Sequence, residues 1–135
     1  MKQSLYIVIV IFALSVISCK GEKESNGKLN VVATTSMITD LVKNIGGDLI
    51  NLEGLMGAGV DPHLYKASAG DVTKLAGADV IFYNGLHLEG KLVEVFEKMN
   101  ATQVTQIPLG ESLDKNTLIG SDYFASNYDP HVWFN

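Results

Sequence analysis

Between Leu29 and Asn135 four short apolar runs alternate with three helical patterns, and this alternation restricts the chain more than any other feature. Leu29 to Thr34 is a β-branched run, and Thr35-Ser36 after it can cap a helix whose Ile38, Leu41, Val42 and Ile45 recur at helical spacing until Gly46-Gly47 stops them. Leu49 to Leu55 reads as a second strand, followed by the glycine-rich segment from Met56 to His63. Ser68 can cap a helix that carries Val72, Leu75 and Ala76 to Gly77, and Asp79 to Tyr83 is a continuous apolar run of the kind covered on both faces. Leu88 to Met99 is amphipathic, with Leu92, Val93 and Phe96 opposite Glu89, Glu94, Glu97 and Lys98. Gln103 to Ile107 is the fourth strand, and Pro108 to Tyr128 is a 21-residue loop with little periodicity. Strand and helix in alternation predict βαβ units with right-handed crossovers. The expected fold class is α/β, a four-stranded parallel sheet with flanking helices. Ligand-binding side chains then belong in the loops beyond the carboxyl ends of the strands.

The residues before Leu29 are of a different kind. Met1-Lys2-Gln3 is a short positive start, and Leu5 to Ile17 is a 13-residue stretch that is apolar apart from Ser15. As a helix it would rise about 20 Å, short of the roughly 30 Å of a bilayer core, so a secretory leader is a better reading than a permanent span. Val16-Ile17-Ser18-Cys19 closes the leader, and this tetrad resembles the lipobox of bacterial lipoproteins, in which Cys19 becomes the acylated first residue. An ordinary leader with a bystander cysteine is the alternative. The expected division is residues 1–19 as leader, 20–28 as a polar tether and 29–135 as the folded lobe. Cys19 is the single cysteine, which rules out an intramolecular disulfide or a zinc module built on two or more thiols.

Charge narrows the partners. Ten lysines and no arginine stand against 15 acids, a net charge of −5, so nucleic acid is not an expected partner and a cation is. Two of the three prolines and two of the three histidines lie in one repeated tripeptide, Asp61-Pro62-His63 and Asp129-Pro130-His131. Proline fixes its own φ and holds the preceding aspartate extended, so each histidine is delivered on a stiff backbone. A stiffly held neutral imidazole suits a first-row divalent ion, and a neighbouring carboxylate can orient it through the other ring nitrogen. Asp61 and Asp129 are candidates for that supporting role, with turn capping as the alternative for both.

The resemblance these residues carry is specific. Asp61-Pro62-His63-Leu64-Tyr65, Ser68-Ala69-Gly70-Asp71-Val72, Ala78 to Glu89 (Ala-Asp-Val-Ile-Phe-Tyr-Asn-Gly-Leu-His-Leu-Glu) and Asp129-Pro130-His131-Val132-Trp133-Phe134 resemble the TroA-like (cluster 9) metal-binding lipoproteins of bacterial zinc and manganese ABC importers. The resemblance implies two α/β lobes joined by a long backbone helix, with one divalent ion between them on four side chains. It maps the first two ligands onto His63 and His131 and takes the third, a histidine or glutamate, and the fourth, an aspartate, from a second lobe. Residues 29–135 correspond to the first lobe alone, so the chain is expected to be the N-terminal part of a longer receptor. The implied protein is an extracytoplasmic solute-binding lipoprotein, periplasmic or on the cell surface, anchored to the membrane through Cys19. It is expected to act as a monomer that hands Zn²⁺ or Mn²⁺ to ABC permease subunits. Residues 108–128 contain no histidine, which favours the manganese or mixed branch over zinc-dedicated members with a histidine-rich loop.

His87 is a further candidate near the ions, in a supporting place, while Glu89 is expected at a helix start and Trp133-Phe134 in the core or a lobe interface. An enzyme is not expected. A zinc hydrolase would need a general base, and the chain has no His-Glu-x-x-His run and no Gly-x-Ser-x-Gly elbow. A surface adhesin-type lipoprotein is the other alternative, and adhesion can coexist with import.

Overall fold

A computed structural model describes residues 27–99 and 102–134. The expected leader, Cys19 and most of the expected tether lie outside the described residues. Four strands, β1 (Leu29–Ala33), β2 (Ile50–Gly54), β3 (Val80–Tyr83) and β4 (Thr105–Pro108), form one sheet in the order β2-β1-β3-β4. All three pairings are parallel, with Val31 opposite Leu52 and Val80, and Phe82 opposite Ile107. The expected α/β sheet is therefore observed, with strand ends within two residues of those read from the sequence. Because β2 and β3 flank β1, the chain reverses its direction of travel across the sheet there, and the crevice beyond β1 and β3 is where such sheets bind ligands.

Three helices connect the strands: α1 (Ser36–Gly46), α2 (Ala69–Ala76) and α3 (Val93–Met99). Thr35 caps α1, its hydroxyl accepting the Ile38 N–H, and Ser68 caps α2 in a full capping box with Asp71. One face of the sheet carries the core. Val32 and Ile81 pack there with Met56, with Leu75 of α2 and with Phe96 and Met99 of α3, all buried.

The other face is only partly covered. Leu29, Val31, Val80 and Phe82 line a groove of about 290 Å³ whose far wall is Leu41, Val42 and Ile45 of α1. Of the apolar stripe of α1 only Ile38 is buried, while Leu41 is 51% and Ile45 77% exposed. The helix lies against β2 at Thr39, beside Gly54, and at Gly46, beside Ile50, and the groove opens between the helix and the strands.

The clearest departure from the sequence pattern lies between β3 and α3. The predicted helix from Leu88 begins only at Val93, because Gly85, Leu86 and His87 all take positive φ (74°, 50° and 61°) and fold the chain into tight turns. Left-handed geometry at two non-glycine residues is unfavourable on its own and needs support from its surroundings. Glu89 supplies it. Its side chain is 2% exposed, and it accepts hydrogen bonds from the Asn84 N–H (2.8 Å), the Gly85 N–H (3.2 Å) and the Thr34 hydroxyl (2.6 Å). The expected solvent-facing acid at a helix start is thus a buried clasp between the ends of β1 and β3.

Candidate metal centre

The two Asp-Pro-His tripeptides follow β2 and β4, the opposite edges of the sheet, and use the same local bond. In each, the aspartate Oδ1 accepts the histidine backbone N–H two residues on, at 2.9 Å. This closes a turn around the proline and projects the imidazole from a fixed backbone. The first loop is tied down behind His63 by Tyr65, whose hydroxyl donates to Asp71 Oδ2 at 2.8 Å at the start of α2. Burial, then the hydrogen bond and charge of Asp71, push the Tyr65 hydroxyl up to about 12. The Ser68 hydroxyl is the largest of the contacts that hold the Asp71 carboxyl below its ordinary value.

The second loop is more ordered than its composition suggested. Short 3₁₀ turns at Gly110–Ser112 and Lys115–Thr117 lead into an antiparallel bridge between Gly120 and Tyr128, and the Asp129 N–H donates to the Ile119 carbonyl at 2.8 Å. Buried Asn84, at the end of β3, donates from Nδ2 to the Pro130 carbonyl at 2.9 Å. The main chain of Asn84 also holds Gly110, whose N–H donates to the Asn84 carbonyl at 2.8 Å. A side chain at position 110 would place its Cβ 2.8 Å from that same oxygen, so glycine is required there.

These anchors bring both histidines to one place. His63 Nε2 and His131 Nε2 lie 3.3 Å apart, with ring centroids at 5.4 Å. Two nitrogens bound to one tetrahedral zinc at about 2.0 to 2.1 Å are necessarily about 3.3 to 3.4 Å from each other. The separation is therefore that of two ligands on a common ion. His131 Nδ1 lies 2.5 Å from Asp129 Oδ1, so the carboxylate accepts the Nδ1 proton and leaves Nε2 with its lone pair. The His131 backbone N–H, then its ring N–H, hold the Asp129 carboxyl below the ordinary aspartate value. Asp61 is used differently, since the bond it makes to His63 goes to the backbone and not to the ring.

Aromatic rings surround the pair. Phe124 stacks on His63 (centroids 6.0 Å, interplanar 15°) and meets His131 edge-on at 5.8 Å, while Trp133 meets His131 edge-on at 5.3 Å. Sequence reading assigned no role to Phe124, and it placed Trp133-Phe134 in the core or at a lobe interface. His87 is exposed and lines a separate cavity of about 180 Å³ with Tyr83, Phe96, Glu97 and Glu111. Among the described residues it makes no hydrogen bond or ring contact with either histidine. Among the described residues no group of three or more histidine, cysteine or acidic side chains gathers around a common point. The two histidines meet as a pair.

The family described as ZnuA, zinc-uptake complex component A, periplasmic, matches residues 31–135. The chain belongs to this family. It is 43% identical to the manganese-binding lipoprotein MntA of Bacillus subtilis (strain 168) over 138 residues, covering 100% of this chain and 44% of MntA. It is 46% identical to the zinc-binding protein TroA of Treponema pallidum (strain Nichols), over 85% of this chain and 37% of that protein. The solved structure of the periplasmic zinc-binding protein TroA from Treponema pallidum superposes with a TM-score of 0.74 at 48% identity, covering 80% of this chain and 38% of that one. The chain thus spans less than half the length of the curated relatives it matches. Relatives named for manganese and for zinc are thus matched at similar identity.

Proposed function

We propose that this chain is the metal-capturing N-terminal lobe of an extracytoplasmic solute-binding lipoprotein that takes up zinc or manganese and delivers it to the permease of an ABC importer. His63 and His131 are its first two ligands, Asp129 orients His131, and Asp61 fixes the backbone that carries His63. The observation that carries this reading is the 3.3 Å approach of the two Nε2 atoms. Residues 1–19 serve as the leader, Cys19 as the lipid-anchored first residue of the mature protein and residues 20–28 as the tether, which holds the lobe outside the membrane across which it was secreted. The protein works as a monomer and the remaining ligands come from a second lobe.

What the carboxylates do supports capture rather than catalysis. Asp61 Oδ1 accepts a backbone N–H, and Asp129 Oδ1 accepts both a backbone and a ring N–H, so each is engaged in holding a histidine rather than poised over a water. An ion enclosed by four protein ligands also leaves no open position on which water is activated. Equilibrium dialysis of the full-length protein against zinc and against manganese, read by elemental analysis, tests the proposal. One ion per protein is expected, lost in His63→Ala and His131→Ala; absence of retained metal, or retention unchanged in both variants, would overturn it.

A further inference from the structure

The two imidazoles are held by different means. His131 has the Asp129 carboxylate on Nδ1, whereas the one ring hydrogen bond of His63 among the described residues is the Nε2 contact with His131. Asp61, the carboxylate in the equivalent place, accepts the His63 backbone N–H. What lies against the His63 ring is Phe124, with centroids 6.0 Å apart and planes within 15°, inside the range of an offset stack. Phe124 is itself held by a turn. The Asn127 N–H donates to the Phe124 carbonyl at 2.9 Å, Asn127 takes a positive φ of 62°, and the Ser121 N–H donates to the Asn127 carbonyl at 3.0 Å.

An imidazole binds an ion in its own plane, along the Nε2 lone pair, so whatever fixes the plane fixes the direction in which the ion is held. For His131 that is a carboxylate. We propose that for His63 it is Phe124: this ring is a positioning residue for metal capture, setting the plane of the His63 imidazole and closing one side of the histidine pair to water, so that a captured ion leaves slowly. The proposal rests on the metal-binding reading above. Its physical basis is pre-organisation: a ring already held in the binding plane loses less freedom when the ion arrives.

The test uses full-length protein carrying Phe124→Leu, Phe124→Ala or Phe124→Tyr, loaded with zinc and chased with excess chelator. The Leu and Ala variants should release zinc about two- to tenfold faster than wild type, the worth of one aromatic pair, and the Tyr variant, which keeps the stack, at the wild-type rate. Release at the wild-type rate from Phe124→Leu would overturn the proposal while leaving the metal-binding reading intact. Wild-type protein that retains no zinc would overturn the metal-binding reading, and the proposal with it. The ring arrangement is tested separately in metal-free protein by nuclear magnetic resonance. His63 ring-proton resonances that move in Phe124→Leu but not in Phe124→Tyr support the stack, and resonances that move in neither overturn it.

Discussion

His63 Nε2 and His131 Nε2 stand 3.3 Å apart although 68 residues separate them and their loops leave opposite edges of the sheet. Removing either ring should therefore weaken metal binding by more than the roughly 10- to 100-fold that loss of a supporting partner brings. Competition against a chromogenic chelator, with His63→Ala and His131→Ala in the full-length protein, measures this. An affinity within a factor of a few of wild type in either variant would argue against a shared ion.

Asp129 acts on the centre through one ring. Asp129→Asn keeps the shape of the side chain but replaces a charged acceptor of the Nδ1 proton by a neutral amide, and the expected loss in zinc affinity is about 10- to 100-fold. Asp61→Asn touches only the backbone turn and should lose less. Equal losses in the two variants, measured by the same competition, would contradict the asymmetry between the tripeptides.

Glu89 holds three donors in a buried setting, and Glu89→Ala leaves the Asn84 and Gly85 N–H groups without their acceptor. At about 1 to 3 kcal/mol for each buried group left unpaired, a loss of about 3 kcal/mol in unfolding free energy is expected. Asn84→Ala breaks the bond to Pro130 and should loosen the second tripeptide. Urea unfolding distinguishes the two, and a Glu89→Ala protein as stable as wild type would show that the clasp is dispensable.

The start of α2 gives stability a pH dependence. The folded Asp71 carboxyl titrates below its ordinary value, chiefly through the Ser68 hydroxyl, so its contribution is fully present above the unfolded aspartate pKa and is lost as pH falls through the lowered folded value. Ser68→Ala should cost about 1 kcal/mol at neutral pH. Asp71→Asn should be less stable than wild type at neutral pH and converge with it in acid. Unfolding curves recorded across that range check both, and a gap that widens in acid would reverse the sign argued here.

Trp133 is the single tryptophan of the chain and meets His131 edge-on at 5.3 Å. Its fluorescence should therefore change when an ion binds the imidazole, and the change should vanish in His131→Ala. Emission insensitive to saturating zinc, in protein shown by elemental analysis to hold the metal, would place the ion elsewhere.

The sheet was legible because its signals are local: β-branched runs, a Thr35 and a Ser68 that can cap, and glycines at the helix ends. The doublet of Asp-Pro-His was legible as a pair because proline and histidine are rare in this composition. Three features were not. Glu89 reads as a surface acid on any helical wheel, and it is buried because Gly85, Leu86 and His87 turn the chain before a helix can form. Phe124 belongs to a segment without periodicity, and its place against His63 depends on long-range pairing that no local pattern encodes. The exposure of Leu41 and Ile45 reflects a groove between α1 and the strands that nothing among the described residues fills, and the apolar spacing of those residues carries no information on what covers them.

The order β2-β1-β3-β4 gives metal capture a mechanical side. An ion shared by His63 and His131 joins loops from the two outermost strands and closes a ring of chain across the whole width of the sheet. A covalent link closing a loop of this size would restrict the unfolded chain by about 4 kcal/mol. Under the proposed reading the bound ion would itself be such a cross-link, and zinc-loaded protein should resist heat and proteases that open the metal-free form.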